Sequence, residues 1–153
     1  MSSQLILTER PLRLHRQTRF DAPHGMCGDS VTACVAALLG LDAVDEVPDW
    51  FGQFARDAGA AELAMHRWLD ERGIACISVL HDELAQLDQQ HFDSFRGFLV
   101  ISLGQSPRSD NVHAVLGMLN DRREWELIHD PHFSNAGLAP VMAHKRLFRM
   151  RPE

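Results

Sequence analysis

The chain has little that would cross-link it, carry it through a membrane or bind it to nucleic acid. Its cysteines, Cys27, Cys34 and Cys76, are odd in number and form no CxxC pair. That excludes a disulfide framework and the common zinc motifs, and makes reduced thiols the expected state. The longest apolar run, 33–41, is far short of the roughly 20 residues a membrane span needs. No signal-peptide hydrophobic region opens the sequence, so a cytoplasmic location is expected. Repeats and low-complexity segments are missing as well. The net charge is −6, and basic residues cluster only in 10–19 and 144–151, each interleaved with apolar residues. Neither a nucleic acid nor a membrane is therefore an expected partner.

What is present is the composition of one globular core. The chain has 153 residues, 45% of them hydrophobic and 24% charged, enough for one domain (1–153) and too few for two ordinary ones. The clearest element follows Asp29. Val31, Cys34, Val35, Leu38 and Leu39 recur at helical spacing, with Asp29 as N-cap and Gly40 as stop. Ser30, Ala33 and Ala37 make a smooth strip on that helix, where another backbone can approach closely. A second helix is expected over 60–72, ending at Gly73, and a short one over 82–90. Extended segments are expected at 5–7 and 12–20, and strands at 75–80, 97–103, 112–119 and 125–131. The "DEVPDWF" connection should seat Val47, Trp50 and Phe51 in the core. Helices precede a hairpin-rich sheet, so the fold class is α+β: N-terminal helices packed on a mostly antiparallel C-terminal sheet.

The last two strands carry a chemical implication. If 120–123 forms their loop, Leu119 pairs with Glu124, and the same register carried back along both strands sets His113 opposite Asp130; a three-residue loop would shift that register. Directly opposed residues have Cβ atoms about 4.5–5.5 Å apart, close enough for a carboxylate to orient an imidazole. Position 30, at a helix start, is where backbone N–H groups and the helix dipole stabilise an anionic nucleophile. A nucleophile on an early helix, with base and orienter on later adjacent strands, is the layout of papain-like thiol hydrolases.

The blocks "GDSVTACVAALLGLDAVDEVPDWF", "SPRSDNVHAVLG" and "LIHDPHFSNAGL" resemble, in order, a group of small phage and bacterial papain-like cysteine peptidases. That group carries a Gly-(Asp/Asn)-Cys-x-x-Ala-Cys helix, then Ser-Pro-Arg and His-Ala-Val, then Asp-Pro-His-Pro-Ser. The resemblance runs from Gln17 to Leu138. It implies a papain-like fold with Ser30 at the nucleophile position, His113 as base, Asp130 as orienting acid and Gln17 as a donor to the oxyanion hole. Two positions depart from the group's pattern: Phe133 replaces its second proline, and Ser30 replaces its cysteine.

The expected function is a thiol hydrolase (peptidase, isopeptidase or amidase) inactivated by a Cys-to-Ser change at position 30. Its partner would be a peptide, protein or other acyl or amide substrate, and no cofactor is called for. A natural serine hydrolase and a catalytically idle module that binds a peptide or protein tail stay open beside it. Each residue also has a plain structural role open to it: a helix-start serine, a core histidine, an Asx-turn aspartate. Cys27 is the rival nucleophile, whereas Cys34 and Cys76 read as small core hydrophobes. His129 and His132 flank Asp130 as a zinc site would require, but Pro131 breaks the spacing and no metal is expected. Arg108 is a candidate contact for an acidic substrate group.

Overall fold

The structure, a computed structural model, describes residues 10–18, 29–54, 57–109 and 111–150. The expected segment at 5–7 and Cys27 lie outside these. Five strands form one sheet in the order β1-β5-β2-β3-β4, with every neighbouring pair antiparallel. They are β1 (Ile74–Leu80), β2 (Leu99–Gln105), β3 (Val112–Leu119), β4 (Trp125–His129) and β5 (Val141–Arg149). The helices are α1 (Ser30–Leu38), α2 (Trp50–Gln53), α3 (Ala58–Asp70) and α4 (Gln89–Asp93). No helix among the described residues is long and apolar enough to cross a membrane.

Helix α1 is apolar all round, and such a helix belongs inside: every residue but Val31 is buried. Cys34, Val35 and Leu38 pack with Met65 and Leu69 of α3 and with Ile101, Ala114 and Leu116 of the sheet, each large side chain contributing about 1.5–3 kcal/mol by leaving water. The smooth strip is covered as its small residues allow, since the Arg13 N–H reaches the Ala37 carbonyl at 3.1 Å. At the end of α1, Gly40 has φ +64°, and a Cβ there would stand 2.4 Å from the Pro11 carbonyl oxygen. Only glycine lets the 10–17 segment cross so close. That segment is not a strand, contrary to expectation; it lies along α1 and the 129–135 turn. The Val47 and Trp50 side chains are buried and Phe51 packs against the same core.

The other sheet face is covered by a 3-10 turn (His81–Gln86) and α4, which divide the single helix expected over 82–90. Val79, Leu84, Phe92, Phe95, Val100 and Leu119 form a second, smaller core there. On the same side runs a buried polar chain. Trp125 Nε1 donates to Ser102 Oγ at 2.8 Å, Ser102 meets His144 Nδ1 at 2.8 Å, and His144 Nε2 meets His81 Nδ1 at 2.9 Å. An indole N–H only donates, so Ser102 Oγ accepts from Trp125 and has both its proton and a second lone pair for His144 Nδ1. Gly117 makes room for this chain: a Cβ there would lie 2.2 Å from Trp125 Nε1 and 2.9 Å from Ser102 Oγ. Gly117→Ala is expected to displace the Trp125 ring and destabilise the protein by about 2–3 kcal/mol through overpacking and a lost buried hydrogen bond. Urea unfolding with Trp125 fluorescence checks this; an unchanged midpoint would refute the argument.

Strand β5 is the element the sequence reading missed. It occupies an interior position between β1 and β2.

Candidate active site

The hairpin closes differently from expectation. Its loop is the three-residue 121–123, with the Asn120 N–H bonded to the Glu124 carbonyl at 3.0 Å and Arg123 at φ +65°. Leu119 therefore pairs with Trp125 rather than Glu124, and a bulge between Leu116 and Gly117 shifts the register again, to Leu116 opposite His129. The hairpin register thus does not set His113 opposite Asp130 as expected. Arg123 holds the turn in this form, donating to the Leu84 and Leu87 carbonyls at 2.7 and 2.6 Å with its guanidinium over the Phe92 ring.

The two side chains nevertheless meet. β4 ends at His129, and the turn that follows brings the Asp130 carboxylate to His113, Nε2 to Oδ1 at 2.7 Å with both side chains buried. The same carboxylate accepts the His132 N–H on Oδ1 at 2.9 Å and the Gly137 N–H on Oδ2 at 2.8 Å. Burial alone would raise the Asp130 pKa, but the bonds from His113, His132 and Gly137 together hold it below the ordinary aspartate value. An ionised carboxylate only accepts, so His113 carries its proton on Nε2 and keeps the Nδ1 lone pair for another partner.

Ser30 opens α1 beside this pair. Its Oγ accepts the backbone N–H of Ala114, the residue after His113, at 3.1 Å. No hydrogen bond joins Ser30 to the His113 ring among the described residues. The Ala114 bond occupies a lone pair and leaves the hydroxyl proton free to be donated. It also means that an anion at this atom would face a backbone donor as well as the helix N-terminus. Asp29 precedes α1 without capping it by its side chain. Its carboxylate instead receives the Thr18 N–H at 2.8 Å and the Thr18 hydroxyl.

That bond places Gln17. Its side chain is buried and its N–H donates to the Pro131 carbonyl at 3.1 Å, so Gln17 is fixed between Asp29–Ser30 on one side and Asp130–His132 on the other. Arg16 ties the same turn from outside, donating to the Asp130 and His132 carbonyls at 2.8 and 3.0 Å and to Asn135 Oδ1 at 2.9 Å. All four predicted site residues therefore gather where α1, β3 and the 130–137 turn converge.

His132 belongs to this cluster, although the sequence offered it only as a metal ligand. Its ring stands edge-on to His113, centroids 6.3 Å apart, and Phe133 stacks on it. His132 Nδ1 accepts the Ser134 N–H at 3.0 Å, which fixes its proton on Nε2. Arg108 donates to Ser134 Oγ at 2.9 Å, joining the Ser-Pro-Arg loop to the turn. His129 Nε2 pairs with the His15 carbonyl at 2.8 Å. Among the described residues no group of three or more His, Cys, Asp or Glu is set to hold a metal. Cys34 lies in the core beneath the site, where burial first and the Asp130 charge second push its thiol pKa up, and burial raises Cys76 to about 11 despite a lowering bond from Ser78. Neither is a nucleophile at neutral pH.

Comparisons with family models, with curated proteins and with solved structures give no match to this chain. The functional reading rests on the geometry and on the motif order.

Proposed function

We propose that this protein is a papain-like thiol hydrolase, acting on an amide, isopeptide or related acyl bond, in which Ser30 stands in the place of a nucleophilic cysteine. The observation that carries the reading is the buried His113–Asp130 pair, with one imidazole nitrogen committed to an ionised carboxylate and the next residue, Ala114, bonded through its N–H to Ser30 Oγ at the start of α1. With a thiol at position 30, His113 Nδ1 takes its proton. The thiolate attacks the substrate carbonyl, the Ser30 N–H and the Gln17 side chain receive the oxyanion, and the imidazolium returns the proton to the leaving group. Water then releases the acyl group by the reverse sequence. A serine hydroxyl, far less acidic than a thiol, must lose its proton during attack, and so works poorly in a site arranged for a thiolate. Free Cys34 and Cys76 suit a reducing, cytoplasmic setting. A second reading, an idle cleft that binds a peptide tail, is favoured by Ser30 bonding the Ala114 amide rather than the His113 ring.

Peptide, isopeptide and activated-ester reporters test the choice. Ser30→Cys is expected to turn over at least one of them while the Ser30 protein does not, and Gln17→Ala in that background is expected to slow turnover about 10²- to 10³-fold with little change in the unfolding midpoint. An inert Ser30→Cys protein supports the binding module instead. Loss of stability with unaltered turnover per folded molecule would make Gln17 a structural residue.

A further inference from the structure

At the opposite end of α1 from Ser30, about 13 Å along the helix axis, the structure has a hollow. It is a cavity of about 400 Å³ between the ends of α1 and α3, the start of β1, the end of β5 and the crossing segment at Arg10. Its floor is apolar, made by Leu39, Leu41 and Ile74. Its rim is cationic: Arg10, Arg72 and Arg149 outnumber Glu46, which lines the cavity, and Glu71, 3.8 Å from Arg72. In a chain of net charge −6 this is a local reversal of sign. Glu46 is turned to its own turn, with Oε2 accepting the Ala43 N–H at 2.8 Å.

The rim is preorganised. The Arg72 guanidinium lies over the Trp68 ring at 3.6 Å and donates to the Trp68 carbonyl at 3.0 Å, while Trp50 packs against Trp68 with centroids 5.6 Å apart. A stacked guanidinium keeps its planar fork directed and still offers donors from its remaining N–H groups. Arg10 is brought to the rim by the close crossing over Gly40, where a Cβ would stand 2.8 Å from Arg10 Cβ. Arg72 also caps the α3 C-terminus and lies 3.8 Å from the Glu71 carboxylate, and Arg149 donates to the Arg72 carbonyl at 3.5 Å, so the cationic rim is tied together over the apolar floor. We propose that this cavity binds a small organic carboxylate with an apolar body, its head on the arginines and its body on Leu39, Leu41 and Ile74. Two sources share that chemistry: a free aliphatic acid, and the terminal carboxylate of a peptide ending in an apolar residue.

The experiment is a titration of the intact protein followed by the Trp68 indole N–H resonance, assigned with Trp68→Phe. The probes are octanoate, N-acetyl-leucine, octanamide and inorganic phosphate. Saturable shifts are expected with octanoate or N-acetyl-leucine, and whichever binds more tightly names the source. Octanamide and phosphate should each bind at least about tenfold more weakly, one lacking the charge and the other the apolar body. Arg10→Gln and Arg72→Gln change exposed side chains and should each weaken carboxylate binding about tenfold, the worth of one charge-assisted contact. Failure of both carboxylates to saturate at millimolar concentration overturns the proposal. So does equal binding of octanamide or phosphate, or affinity unmoved in the double arginine variant.

Discussion

With cysteine at position 30, alkylation by iodoacetamide should stay nearly flat between pH 8 and pH 5. An ordinary thiol, with a pKa near 8.5, loses its thiolate about tenfold per pH unit over that range and slows by roughly 10³-fold. A thiol that hands its proton to His113 Nδ1, and whose sulfur faces the Ala114 N–H and the start of α1, remains a thiolate far below that. Its rate should change less than about threefold. The profile discriminates better than the absolute rate, because a low-pKa thiolate is also intrinsically less nucleophilic, which cancels much of its advantage in abundance. His113→Ala should restore the tenfold-per-unit fall. Asp130→Asn, which removes the ionised partner of His113, should move the inflection toward neutral pH. The Ser30 protein supplies the background from Cys27, Cys34 and Cys76. A Ser30→Cys profile that falls like that of a free thiol would mean position 30 has no working base, and the hydrolase reading would be lost.

Acid is expected to weaken the fold well above the pH at which carboxylates titrate. His144 is completely buried, and burial, aided by the neighbouring His81, lowers its pKa to about 4 from the ordinary 6.5. The unfolded chain therefore binds a proton near pH 6.5 that the folded chain refuses until about pH 4, and stability falls as pH falls through that window. For a shift of this size the loss between pH 7 and pH 5 is about 2 kcal/mol. The structural cause is burial: the ring is enclosed in the polar chain between Ser102 and His81, where a second proton would put a charge out of reach of water. Urea unfolding at pH 7 and pH 5 measures the loss, and His144→Gln should flatten the slope even though it is less stable at pH 7. Asp130, held below its usual pKa, adds a further loss only beneath the ordinary aspartate range. An unchanged slope in His144→Gln would assign the acid sensitivity elsewhere.

How much of this was legible in the sequence depended on whether a residue's partners lay nearby. Helix α1 could be read from its spacing and β3 from its apolar run, because those patterns report burial directly; β4 was read from its strand-like run although Glu126, Leu127 and Ile128 are exposed. The meeting of His113 with Asp130 was anticipated from a register that is not the real one. The loop is set by Arg123 reaching the Leu84 and Leu87 carbonyls, a contact that turn composition does not display. Strand β5 was illegible for a similar reason. His144, Lys145 and Arg146 stood out in the sequence only as part of a basic cluster, yet each is matched by a distant group: Ser102 and His81, then Glu62 and Ser78, then the Ser94 carbonyl with the Phe98 ring. Polar residues inside a sheet are tolerable when partners from other elements reach them, and those partners are separated by 42 to 83 residues in the chain.

The position of β5 has a consequence for how the molecule is made. Strands β1 and β2 are synthesised long before the segment that lies between them, and until β5 emerges each presents an open edge able to pair with another chain. Non-local pairing of this kind raises the contact order and slows closure of the sheet. The nascent protein is therefore most exposed to misassembly before residues 141–149 leave the ribosome, a stage at which α1 has no complete sheet to pack on.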